Sequence, residues 1–137
     1  MFELLPRTGI VLPRGAGTLA FGMAERPAQW TLATLCDVRE TWVCGLKWSF
    51  AAEYGGVSLL IGSRHGTGMD HVALDRIGDA PSTSATTPVV WQDIDLFGHP
   101  HREVAEALGD VPAGMRLTHP AEPGTHLSSV RLTATAP

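Results

Sequence analysis

Thr41 to Glu53 reads TWVCGLKWSFAAE, and its alternation decides how the chain is expected to fold. With the two-residue period of a strand, Trp42, Cys44, Leu46, Trp48 and Phe50 share one face, while Val43, Lys47 and Ser49 take the other. A face that apolar belongs against a core, with its reverse toward water or a thinner layer. One long strand over 41–53 is therefore expected. Tyr54-Gly55-Gly56 supplies positive-φ residues for a turn, and Val57, Leu59 and Ile61 alternate on the return strand.

Working outward, Arg64 to Gly68 reads as a second turn, and Val72, Leu74 and Arg76 as a third strand. Upstream, residues 1–17 carry Leu5-Pro6-Arg7 and Leu12-Pro13-Arg14 around a short apolar run, which predicts a short edge strand or an extended arm. Thr18 to Gly22 reads as a strand ending in a turn. A helix over 27–36 follows, with Leu32, Leu35 and Cys36 at i, i+3 and i+4.

Downstream, Asp79 to Pro88 is small, polar and closed by prolines, the composition of a flexible connector. Val89-Val90-Trp91 opens a strand expected to run to Leu96-Phe97-Gly98. Pro100 then starts a helix in which Val104, Ala107 and Leu108 share a face, with Gly109 as its cap. Met115 to His119 and Leu127 to Ala134 complete the expected strands.

The chain has 137 residues and a mass of 14.6 kDa, the size of one domain able to bury about two-thirds of its surface. Its formal net charge is −4, and its arginines are spread singly along the sequence, against a nucleic-acid-binding role. No stretch approaches the roughly 18 apolar residues of a membrane span, and no signal peptide opens the chain, so a cytoplasmic location is expected. Cys44, on the apolar face of the 41–53 strand, is expected to pack as a small hydrophobe.

An echo runs across the connector. Phe21-Gly22, a helix and Cys36-Asp37 parallel Phe97-Gly98, a helix and Gly109-Asp110. Gly66-Thr67 with Val72 and Leu74 parallels Gly124-Thr125 with Val130 and Leu132, so both copies share G-T-x4-V-x-L. The segment from Leu96 to Gly109, LFGHPHREVAEALG, resembles a strand-helix unit in small uncharacterised proteins of GC-rich bacteria, some of immunity type. That resemblance covers 14 residues and brings no catalytic residue with it.

Polar constellations are few. His99 and His101 form an HxH pattern, and His65, Asp70 and His71 form a second group. Imidazole and carboxylate together can hold zinc, with three protein ligands leaving an open position for catalysis. His99 at a helix start equally suits a cap, and no CxxC or HExxH accompanies the pair. The Gly66-Thr67-Gly68 turn beside Arg64 has backbone N–H groups that can cradle an anion, but lacks the Lys-Ser/Thr of a phosphate loop. Asp93 and Asp95 are spaced for one strand face. The tryptophans at 30, 42, 48 and 91 suit a core, or an aromatic patch for a partner.

The expected fold is α+β: a mainly antiparallel sheet of about seven or eight strands with two short helices. It is arranged as pseudo-repeated β-α-β-β units at 1–78 and 89–137 around the 79–88 connector. The expected function is that of a non-enzymatic protein-binding domain, immunity-like or regulatory, whose partner is another protein or a second copy. No catalytic residue, cofactor or metal is assigned. The alternative is a small hydrolase or metal-dependent enzyme using His65, Asp70 and His71, or His99 and His101.

Overall fold

The computed structural model describes residues 1–77, 87–119 and 125–134. The fold is α+β, with eleven strands and two α-helices among the described residues. The strands divide between two sheets rather than forming one. The small sheet has the order β3-β2-β1-β8-β9 and the large sheet the order β10-β11-β7-β6-β5-β4.

In the small sheet, β1 (Phe2–Leu5), β2 (Gly9–Leu12) and β3 (Gly17–Ala20) are followed much later by β8 (Val89–Trp91) and β9 (Ile94–Asp95). The opening residues are not the edge strand or arm expected of them. β1 lies in the middle, antiparallel to β2 and parallel to β8. The prolines permit this because Pro6 falls in the β1–β2 turn and Pro13 just beyond β2, so neither interrupts a ladder. Phe2, Leu4, Ile10 and Leu12 are all buried.

The large sheet contains β4 (Val38–Glu40), β5 (Trp48–Tyr54), β6 (Val57–Ser63), β7 (His71–Arg76), β10 (Met115–Thr118) and β11 (Ser129–Thr133). Only the second half of the 41–53 stretch is strand. Gly45, at φ 93°, helps reverse the chain between β4 and β5, and the Leu46 amide donates to the Val43 carbonyl at 3.1 Å. The apparent alternation at Trp42 and Cys44 is therefore coincidental, and both are exposed. From Trp48 onward the pattern holds. Trp48 and Phe50 stack on the core side with centroids 5.9 Å apart, and Phe50 is fully buried. The expected β5–β6 hairpin forms, with Gly55 at φ 55° and Gly56 at φ 84° giving the two positive values of a type I′ turn.

The strand expected from Val89 to Gly98 is instead a second tight hairpin. Gln92 and Asp93 reverse the chain at φ 52° and 64°. The helix expected at 27–36 is α1 (Glu25–Ala33), with Pro27 tolerated in its first turn. Leu35 and Cys36 lie past its end, and both amides donate to the Leu32 carbonyl. The second helix is α2 (His101–Leu108), which buries Val104 and ends at Gly109 with φ 68°. Ala107 is exposed rather than on the buried face. Most of the 79–88 connector lies outside the described residues.

One apolar core serves both sheets. Phe2, Ile10 and Leu19 of the small sheet belong to the same buried cluster as Phe50, Leu59, Val72 and Leu132 of the large one. α1 leads from β3, an edge of the small sheet, to β4, an edge of the large one; α2 leads likewise from β9 to β10. The V-x-L pairs of the sequence echo meet each other directly, Val72 opposite Leu132 and Leu74 opposite Val130.

Candidate functional site

The histidines singled out in the sequence do not converge. His65 is exposed on the loop after β6. Asp70 is already engaged: it accepts the Arg64 backbone N–H at 3.0 Å and pairs with Arg64 Nε at 3.5 Å. His71 opens β7, half-buried. Burial and then the Arg131 guanidinium hold its imidazole below the usual histidine pKa, against an upward pull from Asp70.

His99 and His101 have different neighbours. His101 stacks on His119 with centroids 3.7 Å apart, whereas His99 acts electrostatically on His126. His101 is held below the usual value by burial, then by His119 and Arg102. His99 caps nothing: Pro100 is the N-cap of α2, with no side-chain cap bond. Among the described residues, no group of three or more His, Cys, Asp or Glu is placed to hold a metal ion. Asp93 and Asp95 are no strand-face pair either, since Asp93 sits in the hairpin turn while Asp95 accepts the Phe97 N–H at 3.3 Å.

The large sheet gathers a different set of residues, invisible in the linear sequence. Val72, Leu74, Val130, Leu132 and Met115 are buried in the core. Strand alternation therefore directs His71, Ala73, Arg131, Thr133 and Arg116 to the outer face. Register places them in two rows. Arg116 is opposite Arg131, which is opposite Ala73; Thr133 is opposite His71, which is opposite Gly62. Gly114 ends the second row, its carbonyl accepting the Thr133 N–H at 2.7 Å.

Short residues beside long ones give this corner its shape. A depression of about 370 Å³ is lined by His71, Gly114, Met115, Arg116, Arg131 and Thr133. Two arginines directly opposite on neighbouring strands repel, and like-charge pairs in that position destabilise a sheet. The ion pairs among the described residues are Arg39–Glu53 at 3.9 Å and Arg64–Asp70 at 3.5 Å, and neither involves Arg116 or Arg131. Guanidinium stays charged at any physiological pH and presents a planar fork of donors, so the chemistry offered here is recognition of an oxyanion.

Further along the face, Ala73 is opposite Leu60, Leu60 is opposite Ala51, and Ala51 is opposite Arg39. Its centre is thus apolar, with Ala51 and Ala73 buried and Leu60 half-buried between them, and it has an exposed arginine at either end. Neither helix lies across it, since the buried residues of α1 and α2 belong to the core. Trp30 and Trp42 are 68% and 83% exposed, unlike Trp91, which is buried. No helix among the described residues is long and apolar enough to cross a membrane. No family model matches the chain, and no curated protein or solved structure matches it either.

Proposed function

We propose that this chain is a non-enzymatic protein-binding domain, immunity-like or regulatory in type, that meets another protein through the outer face of its large sheet. The observation that carries this reading is the accessible part of the face: Leu60, half-buried between the buried Ala51 and Ala73, with exposed Arg39 at one end of its row and exposed Arg131 and Arg116 at the other. A small apolar centre with an arginine rim suits a protein interface, where core contacts exclude water and arginine anchors the periphery. The exposure of Trp30 on α1 and of Trp42 between β4 and β5 supports the same reading, since Trp is enriched among binding hot spots. A net charge of −4 argues against nucleic acid as the partner. Cys36 and Cys44 are both free thiols, which fits a reducing cytoplasm.

The test compares wild type with Leu60→Glu, which places a charge at the centre of the face. Co-purification from the native host is quantified alongside sedimentation of the purified protein. A partner, or a second copy, that is retained by wild type and lost from the folded variant supports the reading. An identical retained set for both proteins, with both sedimenting as monomers, overturns it.

A further inference from the structure

We infer that the depression around Arg116 and Arg131 is a carboxylate-recognition site for an acidic segment of the partner protein. This rests on the protein-binding reading and names the chemistry of what is bound. Three observations point to it. Arg116 and Arg131 are register partners on adjacent antiparallel strands, so topology forces two permanent cations together. Neither forms an ion pair with a carboxylate among the described residues, although acidic residues outnumber basic ones, 14 to 10, in the whole sequence. The floor beside them is kept low by Gly114 and Ala73, leaving room for a ligand of side-chain size between the long groups.

An oxyanion placed there relieves the repulsion and receives charge-assisted hydrogen bonds in the bidentate geometry that guanidinium prefers. The surroundings bias the choice toward carboxylates on an extended chain. β10 is an edge strand of the sheet, so the arginine pair lies beside an edge along which a segment can run. Two carboxylates lie nearby. Asp70 is held by Arg64, and Asp75, opposite Ser129, sits in the next row of the same face, diagonal to Arg131, with no ion pair to either arginine.

The experiment titrates the full chain with a hexaglutamate peptide at low salt, following backbone amide resonances, with hexaglutamine and inorganic phosphate as parallel arms. Hexaglutamate is expected to shift the amides of Gly114, Arg116, Arg131 and Thr133, and to bind Arg131→Gln and Arg116→Gln at least tenfold more weakly. Arg131→Lys should fall between, and Arg26→Gln, on the exposed side of α1, should bind as wild type does. The inference is overturned if hexaglutamine binds equally, if only phosphate binds, or if Arg26→Gln weakens binding as much as Arg131→Gln. Loss of the natural partner from Leu60→Glu but not from Arg116→Gln or Arg131→Gln leaves the protein-binding reading in place and removes the carboxylate site alone.

Discussion

Phe2 of β1 and Tyr54 of β5 meet edge to face, with ring centroids 6.1 Å apart and planes at 86°. The residues belong to different sheets, so this contact joins the two layers directly. Phe2 is fully buried, and truncating a buried Phe to Ala removes both its transfer energy and the packing around it. Phe2→Ala is expected to lower unfolding free energy by about 3–5 kcal/mol in urea titrations. A loss below about 1 kcal/mol would mean that the layers are held together elsewhere.

The β2–β3 ladder depends on glycine at one position. Gly9 has φ 139°, and a Cβ built there would land on the Leu19 carbonyl of β3. Gly9→Ala should therefore cost well over about 1 kcal/mol, since backbone strain adds to a clash with a paired strand. Gly22, at φ 96°, meets nothing within 4 Å, so Gly22→Ala should cost only the conformational term, about 1–2 kcal/mol. Thermal melts of the two variants read the difference; equal losses would show that β3 yields to make room.

What could be read in the sequence was local. The β5–β6 hairpin announced itself through Gly55-Gly56 between alternating runs, and α2 through Pro100 and Gly109, because turn and cap chemistry is written within a few residues. Trp42 misled, since a loop of alternating composition carries the same period as a strand. Gln92-Asp93 misled in the opposite sense: a type I′ turn without glycine carries little turn signal. The position of β1 at the centre of its sheet depends on parallel pairing with β8, more than 80 residues away, which no local pattern encodes. The same holds for Arg116 and Arg131. Each was visible as a polar residue between apolar ones in a strand, but only register makes them neighbours.

Asp70 closes the loop between β6 and β7 by binding Arg64 twice, through backbone and side chain. Asp70→Asn keeps the shape and removes the charge, so a loss of about 1–2 kcal/mol is expected from weakening a charge-assisted pair. The same carboxylate pulls the His71 pKa upward, against burial and Arg131. Asp70→Asn should therefore push His71 further down, as read from imidazole chemical shifts. A stability loss with His71 unmoved would confine Asp70 to loop closure.

Acid should weaken the fold through its histidines. His71 and His126 titrate below 6.5 in the folded chain, in each case first because of burial and next because of a nearby arginine, Arg131 or Arg76. An unfolded histidine takes up its proton nearer 6.5, so between the two values the unfolded state holds more protons. Stability from this source is complete above 6.5 and declines as pH falls through the folded value. The thermal midpoint should drop between pH 7 and about pH 5, and His71→Gln should flatten part of that slope. An unchanged slope in the variant would assign the loss to other groups.

Arg76 ends β7 with its Nε and Nη1 atoms buried and without a hydrogen-bond partner among the described residues. Its backbone is satisfied, since its N–H donates to the Ser128 carbonyl at 2.9 Å, so the cost lies in the side chain alone. A buried donor lacking an acceptor carries a desolvation penalty of about 1–3 kcal/mol, and more when charged. Methionine fills much of the same volume without donors and adapts to irregular space. Arg76→Met is therefore expected to leave stability unchanged or to raise it by about 1–3 kcal/mol. It should also raise the His126 pKa, because the Arg76 charge helps hold that imidazole down. A variant destabilised by more than about 1 kcal/mol would show that the guanidinium finds an acceptor in solution, and that its charge helps hold the end of β7 in place.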